Sequence, residues 1–391
     1  MPENPLYQHM SRKAGEKQRM NSKERMTAVM NHQIPDRVPL DIGGINNTGM
    51  HQLVEQEVKR YLNLKDNGYE IKALSQLVVI PDQSVVDYFG VDTCSIYINE
   101  ARPWIDNGDG TFKDMWGVDY RLNPDGYYFN MVRHPLEAAE EPADLDTYSI
   151  PEPNDYMIAG LSERLDANSD KYCILEGLRE PMFGLPSWLR RNDNFYVDLL
   201  INKPLSDALH EKLLEYYKKL IDFVMQHLGD RIDIVKLADD MGAQNALLLS
   251  PETYRARIKP YQKALYGYIK DKYNKKILLH SCGSIQPIIG DLIEIGVDAL
   301  NPVQISADNM DPVDLKNEFG KDLVFWGGGI DTQHILSTGT PAEVKADVKK
   351  NMSVFKQGGG YVFAQVHNIQ PGVPVENVIA MYDAYNENRS Y

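Results

Sequence analysis

Ile277-Leu278-Leu279-His280-Ser281-Cys282-Gly283 is an apolar run that ends in two soft metal ligands one residue apart. A β-strand sends alternate side chains to one face, so a strand still extended at its end points His280 and Cys282 the same way. The run also decides the fold, because it belongs to a series. Before it come a strand at 232–237 and a helix over 251–273, capped by Ser250 and opened by Pro251. After it, helices at 287–295, 312–319 and 341–355 alternate with strands at 297–300, 323–326 and 361–364. Upstream, Tyr172-Cys173-Ile174-Leu175-Glu176-Gly177 and a long helix over 205–228 extend the same pattern. So many consecutive strand–helix units predict a mostly parallel sheet closed into a (β/α)8 TIM barrel, with an open doubly wound sheet as the alternative. The glycines do not support a dinucleotide site: Gly327-Gly328-Gly329 lacks the GxGxxG spacing, and Gly358-Gly359-Gly360 precedes a strand.

The amino-terminal part reads as an extension and a first barrel strand. Residues 1–20 are polar and basic and read as a flexible arm or a partner-clasping segment, which admits a homodimer. Asn21 or Ser22 caps a helix that ends before Ile34-Pro35, and 36–44 reads as a short buried strand opening into a glycine turn, with Asp41 near its carboxyl end. Helices are expected over 51–63 and 65–78, and a strand at 93–98. Asn107-Gly108, Asp109-Gly110 and Asp125-Gly126 mark hairpin turns in an antiparallel insertion over about 100–135, followed by an acidic, proline-containing connector at 137–155. One barrel domain is thus expected over 21–391.

Composition excludes several classes. A net charge of −15 leaves no basic stripe for phosphates, so nucleic acid is not an expected partner. Three cysteines without paired spacing fit a reducing, cytoplasmic compartment, and no apolar run approaches the ~20 residues of a membrane span.

In a barrel, chemistry sits at the carboxyl ends of strands. That rule selects Glu176, Asp239, Asp240, His280, Cys282, Asp331 and His367, each following an apolar run. If the strand ends line one mouth, His367 completes a His/Cys/His set, and Zn2+ accepts mixed nitrogen and thiolate ligation with one position left for substrate. The alternative makes Cys282 a small buried apolar residue and His280 a hydrogen-bonded core histidine. Asp239 and Asp240 equally read as helix caps, and Glu176 as a salt-bridge partner of Arg179 or Lys236. Asp41, Asn46, Met182 and Phe183 are assigned to substrate binding, with Met182 and Phe183 reading as core or pocket wall.

Residues 21–44, Asp239-Asp240-Met241-Gly242, Leu249-Ser250-Pro251-Glu252-Thr253-Tyr254, Ile258-Lys259-Pro260, His280-Ser281-Cys282-Gly283 and Pro371-Gly372-Val373-Pro374-Val375-Glu376-Asn377 together resemble the uroporphyrinogen decarboxylase superfamily. The resemblance implies a (β/α)8 barrel that is either a cofactor-free tetrapyrrole decarboxylase or a zinc-dependent, corrinoid-linked methyltransferase. The decarboxylases carry an arginine-rich opening segment, whereas 38–47 has no arginine here and Arg37 lies at the other end of the strand. The methyltransferases carry His-x-Cys and a later Cys before a Pro-Gly turn. His280 and Cys282 match the first two, and His367, four residues before Pro371, stands at the third.

The resemblance therefore implies an O-demethylase-type methyltransferase. Zn2+ would be held by His280, Cys282 and His367, with Asp239, Asp240 or Glu176 as proton donor. The methyl donor is expected to be an aromatic methyl ether and the acceptor the Co(I) corrinoid of a partner protein, since the chain has no Asp-x-His-x-x-Gly motif of its own. The alternatives are a methylcorrinoid-protein:thiol methyltransferase of the coenzyme M type and a metal-free decarboxylase.

Overall fold

The structure is a computed structural model, which describes residues 20–391. The arm expected over 1–20 lies, up to residue 19, outside the described residues. Seven parallel strands follow one another around a curled sheet: Thr93–Tyr97, Tyr172–Glu176, Ile234–Ala238, Lys276–His280, Ala299–Asn301, Val324–Trp326 and Tyr361–Val362. The segment around Leu40 closes the ring. On one side Asp41 N donates to Phe363 O (3.0 Å) and Phe363 N to Pro39 O (2.9 Å), and on the other Asp92 N donates to Leu40 O (2.9 Å). Helices between the strands cover the outside, as right-handed crossovers between parallel strands require.

Strand alternation divides the interior into two layers. The lower one is apolar: Ile174, Ile234, Leu278, Ala299, Val324 and Val362 form one buried cluster. Helix Ser22–Met30, capped by Asn21 in a reciprocal box with Glu24, closes that end with Met26, Val29 and Met30. Two residues further along four of these strands the inward position becomes polar, giving Glu176, Lys236, His280 and Asn301. The barrel is thus sealed below and chemically equipped above.

Some sequence expectations change. The run 65–78 is not a helix but mostly a hairpin, with Glu70–Ala73 paired antiparallel to Val78–Ile80 across a turn where Leu77 adopts φ 51°. Its apolar residues Ile71, Leu74, Leu77 and Val78 recur at helical spacing, but pairing with a neighbouring segment through the His51–Val78 bridge favours the strand. The helix expected over 251–273 breaks into Pro251–Arg257 and Lys259–Tyr273, because Pro260 has no N–H for the helical ladder and restricts the residue before it. The insertion is a four-stranded antiparallel sheet of Ile105–Asp106, Phe112–Lys113, Asp119–Leu122 and Phe129–Arg133. No helix among the described residues is long and apolar enough to cross a membrane.

The plugged end is organised by Asp92, whose carboxylate is fully buried. It accepts from Arg25 Nη1 (2.6 Å), Arg37 Nη1 (2.8 Å), Arg37 Nη2 (3.0 Å) and Leu40 N (2.8 Å). One acid therefore joins the plug helix, the closing segment and strand Thr93–Tyr97. Removing one partner of a buried ion pair strands the other charge. Asp92→Ala is expected to lower stability by about 3–5 kcal/mol, measured as a fall in the urea midpoint with little change in m.

Candidate metal centre

His280 ends its strand paired with Asn301 on one neighbour and Ala238 on the other, and Ser281 N continues the extended register by donating to Asn301 O (2.8 Å). Cys282 therefore returns to the same face, with its Sγ 3.2 Å from His280 Nε2. The turn after it requires glycine, since Gly283 has φ +87° and a Cβ there would collide with the backbone of Gly242. His367 arrives from beyond strand Tyr361–Val362, and the ligand atoms of His280, Cys282 and His367 all lie within 4.8 Å of one another.

Both imidazoles are oriented by amides. His280 Nδ1 lies 2.6 Å from Asn301 Oδ1, and Asn301 Nδ2 donates to Trp326 O (2.9 Å), which fixes which end of the amide is the acceptor. His280 must therefore carry its proton on Nδ1 and present a bare Nε2. His367 repeats the device, with Nδ1 3.0 Å from Asn368 Oδ1, whose Nδ2 donates to Gln76 Oε1 (3.0 Å). Burial lowers the pKa of both, His280 to about 4, although the charge of Asp240 pulls the other way. The 3.4 Å contact between His280 and Asp240 is therefore not an ion pair at neutral pH. Burial, then the charges of Asp240 and Glu180, push the Cys282 thiol up. Two neutral nitrogens with inward lone pairs and one ionisable sulfur make a donor set that suits zinc, with amide partners behind both histidines.

The other sequence candidates divide. Asp240 joins the site: its Oδ1 accepts from Cys282 N (2.9 Å) and its side chain remains 42 % exposed. Asp239 points the opposite way and is a helix cap. Its Oδ1 accepts from the amides of Met182 (3.2 Å), Phe183 (2.7 Å) and Gly184 (3.3 Å), and its Oδ2 from Gln262 Nε2 (2.9 Å). Burial raises its pKa to about 7 against those bonds, but no part of it reaches the mouth. Met182 and Phe183 are 0 % and 2 % exposed, with Met182 O bonded to His210 and Phe183 packed on Phe195, and neither lines the cavity beside the ligands.

Glu176 lies at the mouth but is no proton donor. Burial opposes its charge, yet Lys72 (2.7 Å) and Lys236 (3.6 Å) hold its pKa below the usual range. Asp41 is wholly buried and saturated, accepting from Gly44 N (2.7 Å), Thr48 Oγ1 (2.9 Å), Thr93 Oγ1 (2.6 Å) and Trp326 Nε1 (2.7 Å). It holds the loop that crosses the mouth and touches no open space. Asn46 belongs to that loop, with its N–H donated to Glu176 and its Nδ2 to Gln76 Oε1 (2.7 Å).

Two residues at the site escaped the sequence reading. Glu180 Oε2 accepts from Asp240 N (3.3 Å), and burial together with Asp240 and Asp239 raises its pKa well above its ordinary value. Asn47 Nδ2 lies 3.0 Å from His280 Nε2 and 3.4 Å from His367 Nε2. Neither residue follows an apolar run, which was the available signal. A cavity of about 610 Å3, lined by Cys282, Gln304, Leu336, His367, Ile369 and Val373 among others, opens onto the ligands and is of ordinary size for a small-molecule site.

Comparison with known proteins agrees with this architecture. A uroporphyrinogen decarboxylase from Chloroherpeton thalassium is 25 % identical over 200 residues, covering 50 % of this chain and 53 % of the relative. The chain therefore spans about half the length of that relative. One from Coxiella burnetii is 22 % identical over 285 residues, covering 70 % of this chain and 73 % of its own. A Methanosarcina barkeri protein named methylcobamide:CoM methyltransferase MtaA is 26 % identical over 155 residues, 40 % of this chain and 42 % of the relative. Among solved structures, a methyltransferase from Methanosarcina mazei superimposes with a TM-score of 0.64 at 18 % identity, covering 94 % of this chain and 99 % of that one, and shows the shared barrel. The family model described as uroporphyrinogen decarboxylase (URO-D) matches residues 182–388, more than half of the sequence and the part that carries His280, Cys282 and His367, so the chain belongs to that family.

Proposed function

We propose that this chain is a zinc-dependent methyltransferase that takes a methyl group from a methylated oxygen donor, an aromatic methyl ether, and delivers it to the Co(I) corrinoid of a partner protein. The observation that carries the reading is the convergence of His280, Cys282 and His367 within 4.8 Å at the mouth of the barrel. A metal-free decarboxylase has no use for such a cluster, and a polyanionic tetrapyrrole would find no arginine between residues 38 and 47. The likeness to a relative named for methylcobamide chemistry supports the choice of acceptor.

When bound, Zn2+ supplies a Lewis acid that draws electron density from the donor oxygen. Two imidazoles and one thiolate leave the centre with more positive charge than a set with two thiolates, which suits an oxygen leaving group better than thiol activation. The bonding pair of the methyl–oxygen bond stays with oxygen, the methyl carbon passes to the cobalt nucleophile, and a phenol results once a proton is added. Glu180 is the proposed proton source, since it accepts from Asp240 N and burial with its acidic neighbours favours its neutral form. Asp240, whose side chain is partly exposed, stands between Glu180 and the metal ligands, its N–H donating to Glu180 and its Oδ1 accepting from Cys282 N. The sealed lower layer of the barrel excludes water from beneath the site.

A zinc-loaded enzyme with a reduced corrinoid protein is expected to release phenols from a methoxy-aromatic panel, and Cys282→Ala to lose at least about a hundredfold of that rate. Turnover of methylamines or methanol with no ether consumed would discard the donor, and methyl transfer from a methylated corrinoid protein to a thiol would reverse the direction. Metal uptake has its own signature. With the thiol of Cys282 raised and both histidines lowered, zinc must displace about one proton near pH 7, all of it from Cys282. Calorimetry in buffers of different ionisation enthalpy is expected to count that proton, and affinity to rise about tenfold per pH unit between about pH 6 and 8.

A further inference from the structure

We infer that the side-chain amide of Asn47 is the fourth protein group of this metal centre, turning its Oδ1 toward the cation when the site is loaded. The inference rests on reading His280, Cys282 and His367 as metal ligands. Its own evidence is the geometry of the loop above them. Asn47 is 6 % exposed and its forward amide atom, Nδ2, lies 3.0 Å and 3.4 Å from the two bare imidazole nitrogens. Zn–N bonds of about 2.0–2.1 Å in a tetrahedral shell put ligand atoms about 3.3 Å apart. The forward atom of Asn47 thus already stands at ligand-to-ligand distance from both histidines.

The other end of the amide supplies the reason to turn. Asn47 Oδ1 is buried without a hydrogen-bond partner, so reversing the group gives up no bond at that end. Nδ2 now donates toward lone pairs that a metal would occupy, and a nitrogen with two N–H groups cannot face a cation. The two ends of an amide have nearly the same shape, so a half-turn presents a carbonyl oxygen, a competent hard ligand, in the same place. The backbone cannot retreat instead. Asn46 N is held by Glu176, and Thr48 Oγ1 by Asp41 at 2.9 Å.

Asp240 is the competing candidate, with Oδ1 3.4 Å from His280 Nε2. That oxygen already accepts from Cys282 N and approaches one histidine, whereas Asn47 approaches both. A neutral amide oxygen also adds no charge, so it closes the resting shell yet yields to a donor oxygen more readily than a carboxylate.

The test is zinc affinity by competition with a chromogenic chelator, together with the visible spectrum of the Co2+-substituted protein, whose band intensity reports coordination geometry. Asn47→Ala is expected to bind zinc on the order of 10–100-fold more weakly and to alter the cobalt bands. Asn47→Asp, similar in shape and anionic, is expected to bind more tightly than Asn47→Ala and to restore the bands. Wild-type affinity and spectrum in Asn47→Ala, or Asn47→Asp binding no tighter than Asn47→Ala, overturns the assignment. Zinc lost in Cys282→Ala but unchanged in Asn47→Ala overturns it while leaving the metal centre standing. A wild-type protein that holds no zinc overturns both.

Discussion

The mouth of this barrel depends on one buried carboxylate that touches no open space. Asp41 draws donors from its own following turn, from Thr48 in the crossing loop, from Thr93 on the adjacent strand and from Trp326 on the strand next but one on the other side. Burial favours its neutral form, and the four donors are what oppose that tendency. They tie the closing segment, the loop over the mouth and two strands into one unit. Glu176 holds the same loop from below through Asn46, and Gln365 donates to Thr48 O (2.9 Å) and Gly49 O (3.1 Å) from the segment leading to His367. The ligand loop and the crossing loop are thus locked to each other before any metal is considered.

That arrangement gives the centre its electrical character. Both histidines donate their Nδ1–H to neutral amides rather than to carboxylates, which keeps the imidazoles less basic and any bound cation more electrophilic. Around them the charges are segregated. Lys72 and Lys236 share Glu176 on one side, while Asp240 and Glu180 lie on the other, next to Cys282. A buried pair such as Lys72–Glu176 is better evidence for a fixed geometry than for added stability, since desolvation offsets most of its attraction.

Legibility from sequence followed the kind of signal available. Period-two alternation and strand–helix order identified the barrel, and Lys276–His280 is bounded as expected because its apolar run is short and ends at a histidine and a glycine turn. The run 65–78 misled periodicity, since Ile71, Leu74, Leu77 and Val78 recur at helical spacing although Glu70–Ala73 and Val78–Ile80 pair as strands. Asp239 and Asp240 illustrate the same limit at the site. Adjacent residues at a strand end face opposite ways, so one caps helix Gly184–Arg190 behind the wall and the other reaches the mouth.

The sequence by itself determined the architecture, the His-x-Cys pair and the presence of an imidazole where a related pattern has a thiolate, because strand alternation and residue chemistry are local properties. Only the tertiary structure decided which acids lie beside the three candidate ligands and which amide faces them. Glu180 lies where burial and two other acids raise its pKa, and Asn47 meets both histidines because Asp41 and Glu176 hold its loop over the barrel. Burial and the meeting of residues 233 and 320 positions apart in the chain are properties of the folded molecule, and no spacing in the sequence encodes them.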